Sequence, residues 1–214
     1  MNEAVLYDRS TVLLFVLAAV TFAALLFVSA PYGRHERRGW GPTVPAKLGW
    51  VVMESPSGVG FALVFAFSGG FSAGVVPVLL FALWQVHYTH RTFVFPLRMR
   101  GGGQMPVLVV GLAIAFNCLN AYLNARWIGH FGQYSLAWLT DPRFVLGVGL
   151  FVTGFAVNLH SDAVLRRLRG PGETGYRVPN EGLHRYVSAP NYFGEIIEWT
   201  GLSFFSSQLP QSSR

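Results

Sequence analysis

Charged residues are scarce in this chain of 214 residues. Asp, Glu, Lys and Arg together make up 12% of it, whereas soluble proteins carry roughly 25%. So few charges cannot cover the surface of a water-soluble protein of this size. The mean hydropathy of +0.41 agrees with this, because lipid solvates apolar side chains as well as a protein interior does. The composition therefore predicts a membrane protein.

Cysteine and several catalytic motifs are also rare or missing. Cys118 is the only cysteine, so no disulfide can form within the chain. No GxGxxG sequence follows a predicted strand, and no HExxH sequence occurs, which argues against a soluble-type Rossmann site and a zinc-protease site. His87 and His90 have helical spacing, but no further ligand pattern extends them, and we predict no metal site.

The chain contains six apolar segments that are long enough to form membrane spans. A spanning helix needs about 20 mostly apolar residues, and these segments do not alternate as barrel strands do. The glycine-rich stretch Ser68–Gly74 separates the second segment from the third. The sequence predicts a single all-α domain over residues 1–214, a multi-spanning transmembrane helical bundle. The predicted spans lie near residues 11–30, 51–67, 73–92, 104–125, 144–161 and 191–205.

Lys and Arg are distributed unevenly around these spans. Of the 16 basic residues, all but Arg9, Arg126, Arg143 and Arg214 follow spans one, three and five. Because basic loops remain in the cytoplasm, we expect an integral multi-pass protein with its N-terminus outside, in a bacterial inner membrane. The net charge of +6 is divided among separate clusters, so nucleic acid is not an expected partner.

Polar side chains collect at the predicted cytoplasmic ends of four spans. Each ionisable group inside a bilayer costs about 2.5–3.5 kcal/mol on insertion scales, so its presence there needs a structural or functional explanation. Helical spacing places those of span five on one face and those of span six on another. We expect the two faces to line a cavity for a polar ligand, over which the basic segment 166–185 closes on an anionic group. The residues are Glu54, His87, Tyr88, His90, Arg91, Asn158, His160, Asp162, Asn191, Glu195 and Glu198.

Most of these residues also have a simpler interpretation. Glu54 fits an interfacial acid paired with Lys47 or Arg91, and Tyr88 fits an interface-belt aromatic residue. His87 and His90 can be explained as histidines at the membrane interface whose hydrogen bonds are satisfied. Arg166, Arg167 and Arg169 can be explained as contacts with anionic lipid. Interhelical hydrogen bonding explains the asparagine face of span four, formed by Asn117, Asn120 and Asn124. The pair Glu195 and Glu198 is hardest to explain in this way, because two acids one turn apart in an apolar run need specific partners.

Six sequence blocks, in the same order and over roughly residues 30–202, carry a resemblance to a known family. The blocks are Met53-Glu-Ser-Pro56, His87-Tyr-Thr-His-Arg-Thr-Phe93, Asn158-Leu-His-Ser-Asp162, Leu168-Arg-Gly-Pro-Gly-Glu173, Tyr176-Arg-Val-Pro179 and Tyr186-Val-Ser-Ala-Pro-Asn-Tyr-Phe-Gly-Glu-Ile-Ile-Glu-Trp199. They resemble the steroid 5α-reductase family, and the first looks like that family's acidic position on its second span.

The resemblance implies a seven-helix bundle that uses NADPH to reduce the Δ4 double bond of a 3-oxo steroid. It implies that Glu54 and Tyr88 are catalytic and bind the substrate ketone. The expected partners are a hydrophobic, steroid-like substrate and membrane lipid. The cofactor-binding residues that the resemblance implies, with His160 and Glu198 in supporting roles, are Asn158, His160, Asp162, Arg169, Tyr176, Arg177, Asn191, Glu195 and Glu198.

The C-terminal residues depart from the family. After Trp199 the family continues into the rest of span six and a seventh helix with basic and aromatic cofactor contacts. Here the segment Ser206–Arg214 does not resemble that continuation. We therefore expect six spans with the last incomplete, the C-terminal helix of the family missing or altered, and an NADPH pocket without the contacts of that helix.

Three other functions also fit parts of the sequence. A membrane methyltransferase of the isoprenylcysteine type, using S-adenosylmethionine, resembles the C-terminal half but leaves Glu54 and the block around Tyr88 unexplained. A reductase of a polyprenoid or another enone lipid fits the same residues as a steroid reductase. A transporter or lipid-binding bundle without chemistry would have its polar groups nearer the middle of the membrane.

Overall fold

The computed structural model describes residues 2–31, 39–100, 103–168 and 178–207. The chain forms two compact units. The first unit comprises residues 1–73, 81–97 and 102–131, and the second comprises residues 74–80, 98–101 and 132–214. Each unit carries one group of the predicted site residues.

Helix dominates the described residues, which confirms the predicted all-α fold class. Four helical stretches are long and apolar enough to cross a bilayer: Glu3–Leu25, Ala46–Phe67, Val107–Phe131 and Pro142–Arg167. The chain is therefore a helical membrane protein, while the count of six spans and their orientation stay predictions. The helices are α1 (Glu3–Leu25), α2 (Ala46–Ser55), α3 (Phe61–Phe67), α4 (Val75–Thr89), α5 (Phe95–Arg98), α6 (Val107–Arg126), α7 (Pro142–Arg167) and α8 (Pro190–Ser206).

A short β-ribbon in the first unit fixes where α2 and α6 begin. Strand β1 (Thr43–Pro45) pairs antiparallel with β2 (Gln104–Pro106), and each strand runs directly into a helix. The first amide of each helix bonds to the opposite chain, from Ala46 N to the Gly103 carbonyl and from Val107 N to the Pro42 carbonyl, both at 2.9 Å. These two bonds tie the N-terminal ends of α2 and α6 together.

Five-residue π-helical turns interrupt the helices of the first unit. Pro56–Gly60 joins α2 to α3, His90–Val94 joins α4 to α5, and Trp127–Phe131 extends α6. The first of these turns begins at a proline, which cannot donate a backbone hydrogen bond and so interrupts the regular helical pattern. Such turns are frequent at functional sites.

The indole of Trp84 holds α4 against the first π-helical turn. Its Nε1 donates a hydrogen bond of 2.7 Å to the Ser57 carbonyl, and its ring stacks on Phe61 with the centroids 4.4 Å apart. Gln85 Nε2 donates to the adjacent Gly58 carbonyl at 3.0 Å. Carbonyl groups of the irregular turn thus gain side-chain donors from α4, which fixes α4 beside α2 and α3.

Helix α1 contacts the rest of the first unit mainly through its first two turns. Glu3 forms an ion pair of 2.6 Å with Arg126, and the hydroxyl of Tyr7 donates to the Leu123 carbonyl at 3.3 Å. The Tyr7 ring also packs on Phe131, with centroids 4.8 Å apart. No residue of α1 is buried within the described part of the chain, as expected for an apolar helix whose surroundings are lipid.

Glycine lets α7 and α8 touch backbone to backbone in the second unit. A Cβ added at Gly194 would lie 2.7 Å from the Asn158 nitrogen and from the Gly154 carbonyl oxygen, and one at Gly201 would lie 2.5 Å from the Gly147 oxygen. Neither helix can carry a side chain at these points without moving. The close contact brings the polar residues that follow Gly154 directly against those of α8.

Aromatic donors close the C-terminal end of α8. The last carbonyls of a helix have no partner within the helix. Trp138 Nε1 donates to the Phe205 carbonyl and Tyr134 Oη donates to the Ser206 carbonyl, both at 2.8 Å. These bonds give the last carbonyl groups of α8 partners outside the helix. Residues 208–214, which belong to the predicted C-terminal departure, lie outside the described residues.

Candidate active site

The carboxyl group of Glu54 lies near the end of α2, where α6 approaches it. Asn117 of α6 is 6% exposed, and its Nδ2 donates to the Met53 carbonyl at 2.6 Å and to Glu54 Oε2 at 3.5 Å. On the other side, the Thr92 hydroxyl donates to the Glu54 backbone carbonyl at 3.4 Å. Glu54 is therefore held by interhelical bonds inside the first unit.

The phenol of Tyr88 is buried on α4 and also contacts α6. Its side chain is 5% exposed, and the rings of Trp84 and His87 lie on it with centroids 4.8 Å away. Asn120 Nδ2 donates to the Tyr88 hydroxyl oxygen at 3.4 Å. This burial removes the simpler interpretation of Tyr88 as an aromatic residue exposed at the membrane interface.

The asparagine face of α6 has more specific partners than the sequence indicated. Asn117 bonds to Glu54, Asn120 bonds to Tyr88, and Asn124 bonds to Asn120. The sequence predicted interhelical hydrogen bonds here but not their partners. The β-ribbon accounts for the partner of Asn117, because it ties the starts of α2 and α6 together, whereas the Tyr88 partner of Asn120 lies on α4. Eight and ten residues beyond the aligned helix starts, Glu54 and Asn117 lie about 12 and 15 Å along their helices.

In the second unit, the predicted polar residues of α7 and α8 bond to one another. Asn158 Nδ2 donates to the Asn191 carbonyl at 3.1 Å and to Glu195 Oε1 at 3.2 Å. Asn191 Nδ2 donates to Asp162 Oδ1 at 3.3 Å. Glu198 is fully buried one turn beyond Glu195. The structure thus brings together the two polar faces that helical spacing predicted.

His160 and His184 lie where the segment before α8 meets the end of α7. Gly182 has a φ of +55°, and a Cβ there would lie 2.8 Å from His160 Nε2, so the glycine permits a close approach. His184 Nε2 lies 3.4 Å from the Ser161 carbonyl oxygen. The short 3-10 turn Gly182–Arg185 is therefore held against α7 by both histidines.

Buried polar atoms without a hydrogen-bond partner within the described ranges occur in the second unit. They include Ser161 Oγ, Arg166 Nη1 and His184 Nδ1. Buried polar groups are normally bonded, so these atoms are candidates for contacts with a polar ligand. The sequence analysis did not assign Ser161, whereas Arg166 and His184 belong to the basic segment 166–185 that it expected to close on an anionic group. Two features of the sequence indicate that Ser161 and Arg166 belong to the site. Ser161 lies inside the block Asn158–Asp162, and Arg166 follows Asp162 by one helical turn.

The remaining predicted cofactor-binding residues cannot be placed. Arg169, Tyr176 and Arg177 lie outside the described residues, between the end of α7 and residue 178. A shared pocket for the two groups of site residues also stays a prediction. Each group is nevertheless organised within its own unit, around Glu54 and Tyr88 in the first and around Asn158 in the second.

The sequence is similar to one protein-family model and to several known proteins, and their names describe the same kind of enzyme. Residues 103–212 match the model of the 3-oxo-5-alpha-steroid 4-dehydrogenase family. The chain is 44% identical to human 3-oxo-5-alpha-steroid 4-dehydrogenase 1 over 186 residues, which covers 86% of this chain and 72% of the human protein. It is 40% identical to the bovine protein of that name over 212 residues, covering 96% and 81%. A steroid 5-alpha-reductase of Arabidopsis thaliana is 41% identical over 203 residues, covering 91% and 77%.

Proposed function

The chain belongs to the 3-oxo-5-alpha-steroid 4-dehydrogenase family, and from this premise we propose that it reduces the Δ4 double bond of 3-oxo-Δ4 steroids to give 5α-3-oxosteroids, with NADPH as the cofactor. The family places the chain among the oxidoreductases that act on CH–CH bonds. The observation that carries the proposal at the level of residues is the pair Glu54 and Tyr88, each hydrogen-bonded to an asparagine of α6.

The chemistry explains why a carboxyl and a phenol suit this reaction. Addition of hydride to the β-carbon of an enone moves an electron pair onto the ketone oxygen, and a proton from solvent then reaches the α-carbon. A protonated Glu54 and Tyr88 donate hydrogen bonds to that oxygen and stabilise the developing enolate. Bound NADPH supplies the hydride, and the protein supplies position and exclusion of water.

The donors and acceptors of the second unit fit an anionic dinucleotide. The unpartnered guanidinium nitrogen of Arg166 suits a phosphate oxygen, and Ser161 Oγ and His184 Nδ1 add further polar atoms. The carboxylates of Asp162 and Glu195 suit hydroxyl or amide donors. Further cofactor contacts are proposed from the family resemblance: Asn158, His160, Arg169, Tyr176, Arg177, Asn191 and Glu198.

The substrate and location follow from the membrane character of the chain. Apolar helices give a hydrophobic steroid direct access from lipid. We place the enzyme in a bacterial inner membrane, with the cofactor side in the cytoplasm because the basic segments lie on that side. Incubation of the purified protein with NADPH and a 3-oxo-Δ4 steroid should give the 5α-saturated product. Parallel incubations, one with S-adenosylmethionine and an isoprenylcysteine acceptor and one with NADPH and a polyprenoid enone, test the two rival activities. Methyl transfer without steroid reduction would overturn the proposal.

Substitution of Glu54 tests the role of the carboxyl group. Glu54→Gln should lower kcat by at least about 100-fold, because it replaces an acidic donor to the ketone oxygen by a weaker one, and NADPH binding should stay unchanged. The matched control is Glu181→Gln, the same change at an exposed residue whose carboxylate lies 3.7 Å from Arg167. Wild-type turnover in Glu54→Gln would remove Glu54 from the mechanism.

A further inference from the structure

A chain of hydrogen bonds between side chains of α6 ends on the phenol of Tyr88. Asn124 Nδ2 donates to the Asn120 backbone carbonyl at 2.9 Å and to Asn120 Oδ1 at 3.0 Å. Asn120 Nδ2 in turn donates to the Tyr88 hydroxyl oxygen at 3.4 Å. Asn120 and Asn124 are four residues apart, so they share one face of the helix.

This arrangement fixes the direction of the bond between Asn120 and Tyr88. An asparagine side chain has one acceptor end and one donor end. Because Oδ1 of Asn120 accepts from Asn124, the amide nitrogen must face the phenol. The phenol oxygen therefore accepts from Asn120, and its single proton cannot be donated to that residue. A hydrogen bond accepted by an O–H group also strengthens that group as a donor.

We propose that Asn120, oriented by Asn124, is a positioning residue that keeps the Tyr88 hydroxyl as a hydrogen-bond donor to the ketone of the substrate. This inference rests on the proposed reduction of 3-oxo steroids. The surrounding rings of Trp84 and His87 limit the movement of the phenol. By donating to the hydroxyl oxygen, Asn120 restricts the direction of the hydroxyl proton.

The substitution Asn120→Asp tests whether Asn120 orients the Tyr88 hydroxyl or only holds α6 against α4. Aspartate has nearly the same shape, and Asn124 can still donate to it, but an ionised carboxylate cannot donate to the phenol and instead accepts its proton. We expect kcat for a 3-oxo-Δ4 steroid to fall by about 10-fold or more, with unchanged NADPH affinity. Asn124→Ala, which removes the orienting donor without changing Asn120, should lower kcat in the same direction.

A matched control removes a different hydrogen bond of α6. Arg126 Nη1 donates to Ser68 Oγ at 2.8 Å, far along the helix from Tyr88. Ser68→Ala should leave the steroid kinetics unchanged. If it lowers kcat as much as Asn120→Asp does, the asparagine acts only by holding helices together and the proposal fails.

A double-mutant cycle gives the decisive readout. If Asn120 acts through the phenol, Asn120→Asp should lower kcat in the wild type but change it less than about 2-fold in Tyr88→Phe, because coupled residues are not additive. Equal losses in both backgrounds would overturn the inference. Steroid binding supplies a second measurement. Asn120→Asp should weaken the binding of a 3-oxo steroid but not the binding of its 3-deoxy analogue. Equal effects on the binding of both ligands would also overturn the inference. If the wild type itself forms no 5α product, the proposed function fails instead.

Discussion

Asn158 of α7 donates a hydrogen bond of 3.2 Å from its Nδ2 to Oε1 of Glu195 on α8. The same nitrogen donates to the backbone carbonyl of Asn191 at 3.1 Å. Asn158 is 3% exposed, and a buried amide is costly unless its donors are bonded. The two bonds therefore hold the polar ends of both helices in one arrangement.

The first prediction concerns the cofactor side of the reaction. Asn158→Leu keeps the number and branching of the side-chain heavy atoms but removes the donors, and it leaves the Glu195 carboxylate without this partner. We expect the dissociation constant for NADPH to rise by about 10-fold or more, with little change in affinity for the steroid. Direct titration of the purified protein with NADPH measures the effect.

The matched control for this prediction lies on the same helix. Thr153 is exposed on α7, and its hydroxyl donates to the Gly149 carbonyl one turn earlier at 2.7 Å. Thr153→Val should leave NADPH affinity at the wild-type value. An Asn158→Leu protein that binds NADPH normally but loses affinity for steroid would assign this residue to the substrate instead.

Helical spacing predicted which residues share a face but not which neighbour that face meets. The sequence placed Asn158 and Asp162 on one face, and Asn191 and Glu195 on another, and both faces are seen. Their direct contact depends on the glycines that let α7 and α8 approach. Such an approach is a property of two segments about 40 residues apart, which periodicity in one segment cannot reveal.

The first unit contains features that the sequence analysis did not predict. Apolar runs indicated the helices, but the pairing of Val44 with Met105 in the β-ribbon joins residues about 60 positions apart through strands of three residues. The π-helical turns after Glu54 and Tyr88 have no periodic pattern, although Pro56 marks the first. The partners of Asn117 and Asn120 lie on α2 and α4, and so could not be predicted from α6 alone.

The second prediction concerns the glycine contact between α7 and α8. In Gly194→Ala, the new methyl group would lie 2.7 Å from backbone atoms of Asn158 and Gly154, which cannot move aside as a side chain can. The helices must separate, so we expect a loss of stability of about 1–3 kcal/mol and weaker NADPH binding. Thermal unfolding in detergent and NADPH titration measure the two effects.

A second glycine of α7 provides the control for this substitution. A Cβ at Gly149 would meet no atom within 4 Å in the part of the chain that the structure describes. Gly149→Ala should therefore leave stability unchanged or raise it by up to about 1 kcal/mol, because alanine favours helix over glycine. If both variants unfold alike, the close helix contact does not limit stability.

The third prediction is a pH dependence at the start of α7. Asp141 caps this helix: Oδ1 accepts from the Arg143 backbone nitrogen at 2.8 Å and from Nε at 2.9 Å, and Oδ2 accepts from Nη2 at 2.9 Å. The hydrogen bond from the Arg143 side chain is the main cause that lowers the pKa of Asp141 below its ordinary value of 3.8.

Because the folded state has the lower pKa, the ionised carboxylate stabilises the fold at pH values above 3.8, and this contribution is lost as the pH falls through the folded-state pKa. Asp141→Asn keeps an acceptor for the helix cap but lacks the charge. Its melting temperature should be lower than that of the wild type near neutral pH, by roughly 1–3 °C for an exposed pair. The difference should shrink in acid and in high salt. A difference that is constant with pH would mean that the charge of Asp141 does not contribute to the stability of α7.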